Sequence, residues 1–218
     1  ALGSPAKVTV EANGVKQLDS ALSKAVAAAD EPIGGAGYGQ PTDQFSAEVR
    51  IKRGSGVYPY ATVIDQGTGD SIVVTPTPHP SPTYRLPGIV RYGQWVSDVS
   101  LLNPSDRERK VRLEYSYLKK GETDRTLKFK SLTLQKYEML VWVDFFKSMI
   151  PEDTGEYSSS FIDVLPASDD AAPTEPLVIS GKTYKAFGQG SIGLQVDPYV
   201  FEDGIGAQTS AKRILLSG

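Results

Sequence analysis

The chain contains no cysteine, so disulfide bridges and thiolate metal sites are excluded, and thiol usage gives no reading of the redox compartment. Histidine occurs once, at His79, inside a run of alternating prolines where no rigid neighbour can orient it as a general base or a metal ligand. A Ser-His-Asp triad would have to recruit that residue, and neither a Gly-x-Ser-x-Gly elbow nor a P-loop nor a zinc motif is present. Basic charge is not in excess: the net charge is -3 and the pI about 5.3, against the basic stripe that releases counterions from nucleic-acid phosphates. Long apolar runs are missing too. Met139-Leu140-Val141-Trp142-Val143 is as long as any, far short of a membrane span, and the amino terminus shows no basic region leading into an apolar stretch.

What the chain does have is glycine (21), proline (15) and 39% hydrophobic residues in 218, a composition suited to many turns and enough apolar material for a core. The dominant period is two. Val111, Leu113, Tyr115 and Tyr117 alternate with Arg112, Glu114, Ser116 and Leu118, as a strand with one face on a core requires. The same alternation marks Ala47 to Lys52, Val96 to Leu101 and Leu127-Lys128-Phe129-Lys130, and further strands are expected over Ser159 to Leu165, Leu177 to Lys185, Ile192 to Val196 and Arg213 to Leu216. Only the stretch near 19–29 has helical propensity, capped by Asp19 or Ser20. One short helix among about a dozen strands predicts an all-β sandwich.

The two halves also rhyme. Lys7-Val8-Thr9-Val10 followed by Leu18 to Leu22 returns at Ser131-Leu132-Thr133-Leu134 followed by Val143 to Phe146, and Tyr60 to Gly69 returns at Gly181 to Gly190. The offset is roughly 120 to 125 residues, the size of a module. Counting back, the first copy lacks its opening strands, which predicts unpaired sheet edges completed by upstream sequence or by a neighbouring subunit. Two punctuating segments fit this division. Gly34 to Pro41 reads as a surface loop, and Thr75 to Thr83 as a stiff proline spacer. The expected organisation is an incomplete module over 1–76, a linker over 77–84 and a complete module over 85–218. Val8, Val10 and Val49 should pack in the first sandwich, and Trp95, Leu113, Tyr115 and Val143 in the second.

From the spacer onward, Leu86-Pro87-Gly88-Ile89-Val90, then Gly93 to Asp106 with its tryptophan-serine-aspartate strand and asparagine-proline turn, then Val111 to Tyr115, resembles the opening of immunoglobulin-like β-sandwich repeats in large secreted bacterial proteins. Ile179 to Tyr184 with Gly188-Gln189-Gly190 is similar to their late strand and turn, and Val57 to Asp70 to the corresponding hairpin. The resemblance implies two tandem immunoglobulin-like modules in a secreted or cell-surface setting, with no catalytic motif and structural roles for Asp65, Trp95, Asp98, Asn103, Pro104, Trp142, Gly181 and Tyr184.

The residues themselves give physical roles. Asn103-Pro104-Ser105-Asp106 is a turn in which proline fixes φ and the asparagine and serine side chains bond nearby amides. Trp95 is expected between the sheets, the functional alternative being an exposed sugar-stacking platform, and Trp142 is expected in the core. Gly188 to Gly193 spells a dinucleotide fingerprint, but a strand rather than a helix is expected after it, so no nucleotide site follows. Acidic loops around Glu152, Asp153 and Glu156 and around Asp169, Asp170 and Glu175 supply oxygens of the kind Ca²⁺ takes, without the spaced register of a calcium loop; solvated loop charge is the default reading. No other cofactor is implied. The functional expectation is a non-catalytic structural or adhesive protein of the cell exterior, joining neighbours through open sheet edges, with an accessory substrate- or carbohydrate-binding region of a larger secreted hydrolase as the alternative.

Overall fold

The computed structural model describes residues 7–17, 49, 52–64, 68–75, 81–187 and 190–200. The chain divides into two compact units, Ala1–Glu48 and Val49–Gly218. In the first, 7–17 contains a turn closed by Gly14 N donating to Glu11 O (2.9 Å) and no strand, so the echo of Lys7 to Val10 with Ser131 to Leu134 is not one of structure. Val8 and Val10, and Val49 in the second unit, are exposed rather than packed. The helix expected near 19–29, the loop 34–41, Asp65, His79 and the strand expected at 213–216 lie outside the described residues. So does most of the prolines' run, at 76–80. The boundary between the two units falls at 48/49.

The second unit is antiparallel β structure. A two-stranded hairpin, β1 (Ala61–Ile64) and β2 (Ser71–Val74), precedes ten further strands: β3 (Tyr84–Pro87), β4 (Arg91–Tyr92), β5 (Trp95–Leu102), β6 (Arg109–Lys119), β7 (Arg125–Leu134), β8 (Met139–Trp142), β9 (Tyr157–Pro166), β10 (Val178–Phe187), β11 (Gly190–Val196) and β12 (Tyr199–Val200). These ten strands form one hydrogen-bonded sheet with two branches. One runs β11-β10-β5, with β8 on the far side of β5. The other runs β7-β6-β9-β3-β12. The two-residue β4 pairs with both β5 and β9 and so joins the two branches.

The core is the strand parity read from the sequence. Val111, Leu113, Tyr115 and Tyr117 of β6 are buried with Ile162 and Val164 of β9, Tyr84 and Leu86 of β3, Val99 and Leu101 of β5 and Ile179 of β10. Each such side chain removed from water contributes roughly 1.5–3 kcal/mol. Gly181 belongs to this layer for want of room: a Cβ there would sit 3.1 Å from both Ile89 and Leu86.

One end of the core is filled by a single-turn helix, α1 (Phe145–Met149), which period counting does not anticipate because five residues are too few to show a 3.6 repeat. Asp144 starts it, accepting from Lys147 N at 3.3 Å, and Pro151 follows shortly after its end. Its Phe145 and Phe146 are buried against Tyr115, Tyr117 and Tyr157 in edge-on and stacked contacts, with Trp142 edge-on to Phe145 at 6.0 Å. Trp142 is therefore half-buried and packed on the core, while the adjacent Val143, expected inside, is exposed.

Trp95 is also a correction. It is 40% exposed, because it opens β5 at the end of the layer, paired across a two-residue turn with exposed Tyr92. The buried parity begins two residues later, at Ser97.

Candidate functional site

Asp98, Tyr184, Asn103 and Pro104, singled out in the sequence, build two junctions. Asp98 accepts from the backbone amide of Asp144 at 2.8 Å and from the Tyr184 hydroxyl at 3.3 Å, tying β5, β10 and the start of α1 together. Arg91 reaches the Asp144 carboxylate at 3.3 Å from β4. Burial raises Asp98 above the usual carboxylate range, and the Tyr184 phenol is pushed up to about 12, first by burial and then by the Asp98 charge. Asn103, fully buried, closes its turn as expected: its Oδ1 accepts from Ser105 N (3.1 Å) and Oγ (2.8 Å), while its Nδ2 donates to the carbonyls of Arg107 (2.7 Å) and Gln135 (2.9 Å). Pro104 lies exposed at the bend.

Most carboxylates of the acidic loops are paired with cations. Asp153 pairs with Lys119 (2.7 Å), Glu156 with Lys120 (2.5 Å) and Asp169 with Lys110 (2.7 Å). Lys119, with help from the Gly155 amide, holds Asp153 down at about 2. Asp170 is different, because it is buried and bonds the equally buried guanidinium of Arg109 at 2.9 Å. Among the described residues no group of three or more His, Cys, Asp or Glu is placed to hold a metal ion.

Gly190 and Ser191 open strand β11, not a helix, so the glycine fingerprint has no phosphate-binding context. Gly193 is there for a close crossing: a Cβ would lie 2.4 Å from the Thr183 carbonyl oxygen. β11 is an outer strand, yet its free edge is covered at two points. Thr68 Oγ1 donates to Ser191 O (2.9 Å), and Gly193 N donates to the Asp70 carboxylate (3.1 Å). The loop of hairpin β1–β2 thus caps an edge of hairpin β10–β11, its own echo in the sequence.

β7 has no such cover among the described residues. It is ten residues long and pairs only with β6, so its other edge presents alternate backbone N–H and C=O groups outward. The remaining outer strands β8 and β12 have four and two residues. The alternation of Leu127 to Lys130 is inverted relative to expectation. Register places Lys130 opposite buried Leu113 and Lys128 opposite buried Tyr115, so the lysines take the core-side parity, while Leu127 (61% exposed) and Phe129 (67%) face outward. Both lysines are exposed, so their long side chains reach water from the inner face. Outside, Arg112 lies over the Phe129 ring at 4.9 Å, and Arg85 and Arg125 flank the Phe161 ring at 4.1 and 5.7 Å.

This edge is the surface that sequence reasoning missed. Its only signal was a basic and apolar alternation with no acidic residue over 125–134. No family model, no curated protein and no solved structure matches the chain.

Proposed function

We propose that this chain is a non-catalytic part of an extracellular structural or adhesive protein, in which tandem immunoglobulin-like sandwich modules join neighbours by strand addition into a fibre or stalk. The observation that supports this reading is β7, a ten-residue strand bonded on one side only among the described residues, beside an outward face carrying Leu127 and Phe129. An open edge of that length is a ready template for a further strand, since main-chain bonds supply affinity and alternate side chains supply selectivity. The secreted setting follows from the resemblance of Gly93 to Asp106 and Ile179 to Tyr184 to surface-protein repeats.

Assembly is tested by sedimentation across a concentration series combined with amide hydrogen exchange. As the chain associates, alternate amides over 125–134 should slow while those of β11 stay unchanged. Association with β7 exchanging freely throughout would sink the edge as the joint.

The accessory carbohydrate-binding reading has one observation in its favour, the half-exposed Tyr92 and Trp95 set side by side on the β4–β5 turn. Aromatic rings displayed on a rigid turn are suited to stacking on pyranose rings. Its test is retardation in polysaccharide-containing native gels: retardation lost in Trp95→Ala and kept in Trp142→Phe would support it, and unretarded migration in xylan, starch and hydroxyethylcellulose would dismiss it.

A further inference from the structure

We infer that β7 takes up an acidic, extended strand from a surface unlike itself, and that it rejects a second copy of β7; this rests on the strand-addition reading above. The charge pattern carries the argument. β7 bears Arg125, Lys128 and Lys130 and no acidic residue, in a chain whose net charge is negative. Lys128 and Lys130 are exposed and make no ion pair among the described residues, unlike Lys110, Lys119 and Lys120, each of which has its own carboxylate. Arg125 is spent differently, donating to the Ser116 hydroxyl and the Ser159 carbonyl.

Two copies of β7 paired antiparallel about a two-fold axis, in the registers that use all but one residue of the strand, would set Lys128 against Lys130 or Lys130 against its own copy. Like charges directly opposed across a ladder are destabilising. A strand with glutamate or aspartate at every second position meets the opposite situation. Its acids would fall on the inner parity beside Lys128 and Lys130, and its apolar residues on the outer parity beside Leu127 and Phe129. The edge therefore selects an alternating acidic and apolar strand.

This selection has a geometric consequence. A contact between two unlike surfaces does not close on itself as a two-fold dimer does, and repeated it generates a ring or an open filament. The lysines that prevent β7 from pairing with its copy would thereby favour head-to-tail growth over dimers.

The experiment uses the isotope-labelled full chain and two synthetic probes, a nine-residue peptide alternating glutamate with valine and its counterpart alternating lysine with valine. Amide spectra and exchange protection are followed during titration. The acidic peptide should protect alternate amides of 125–134, bind about tenfold more tightly than the basic one, and weaken as salt rises from about 0.05 to about 0.5 M. Lys128→Glu with Lys130→Glu, both exposed and removable without touching the core, should reverse the preference. Equal binding of the two peptides at β7 would overturn the charge selection and leave strand addition standing. Binding of neither, together with unprotected β7 amides in the concentrated chain, would remove both readings.

Discussion

Asp170→Ala should lower the stability of the folded chain by about 3–5 kcal/mol, read as a shift of the urea midpoint at constant slope. Arg109 and Asp170 are both withdrawn from water, and the guanidinium bonds the carboxylate at 2.9 Å and the backbone carbonyl of Glu175. Removing the carboxylate leaves a cation buried with only carbonyl dipoles to offset its lost hydration, a larger penalty than the loss of one hydrogen bond. Asp170 also accepts from Ala172 N at 3.2 Å, so the turn that carries it loosens in the same variant. Replacing both partners, Arg109→Met with Asp170→Leu, should recover most of the loss, since the apolar pair carries no charge to desolvate. A single variant that loses less than about 1 kcal/mol would mean that Arg109 finds water from this position and that the pair contributes little.

Phe146→Ala should cost about as much, 3–5 kcal/mol, for an unrelated reason. Phe146 is buried, edge-on to Tyr117 at 5.4 Å and stacked on Tyr157 at 4.7 Å. The ring is delivered by a five-residue helix between β8 and β9, and its neighbours sit on β6 and β9. Those strands are fixed by ladder hydrogen bonds and cannot collapse into the vacated volume, so the variant bears the cavity as well as the lost transfer energy. Near-ultraviolet circular dichroism should change with the midpoint, because the lost ring belongs to a group of packed tyrosines. Unchanged tyrosine signals and an unchanged midpoint would place the ring outside the core.

The two residues illustrate what one-dimensional reading can and cannot reach. β6 was legible because Val111, Leu113, Tyr115 and Tyr117 sit at period two over a long strand, and the same parity carried back by one step puts Arg109 inside. The pattern contained that burial; what it could not contain was the partner, 61 residues away on a loop. The asparagine-proline turn was legible because the bonds from Ser105 to Asn103 that close it span two residues; the bond from Asn103 to Gln135, 32 residues on, was not. β7 misled because alternation tells which residues share a face and not which face meets the core; only the register with β6 decides that. Trp95 misled through position: its type favours burial, but it stands where the layer ends. The long edge of β7 was invisible for a related reason, since a strand's neighbours are a property of topology and not of its own sequence.

The two bonds that join Thr68 to Ser191 and Gly193 to Asp70 each span 123 residues, within the interval at which the sequence echoes itself. Two hairpins thus meet each other directly, one supplying hydroxyl and carboxylate, the other supplying backbone. The clasp occupies the outer edge of β11 at these two points, so that edge is less open to a further strand than the edge of β7.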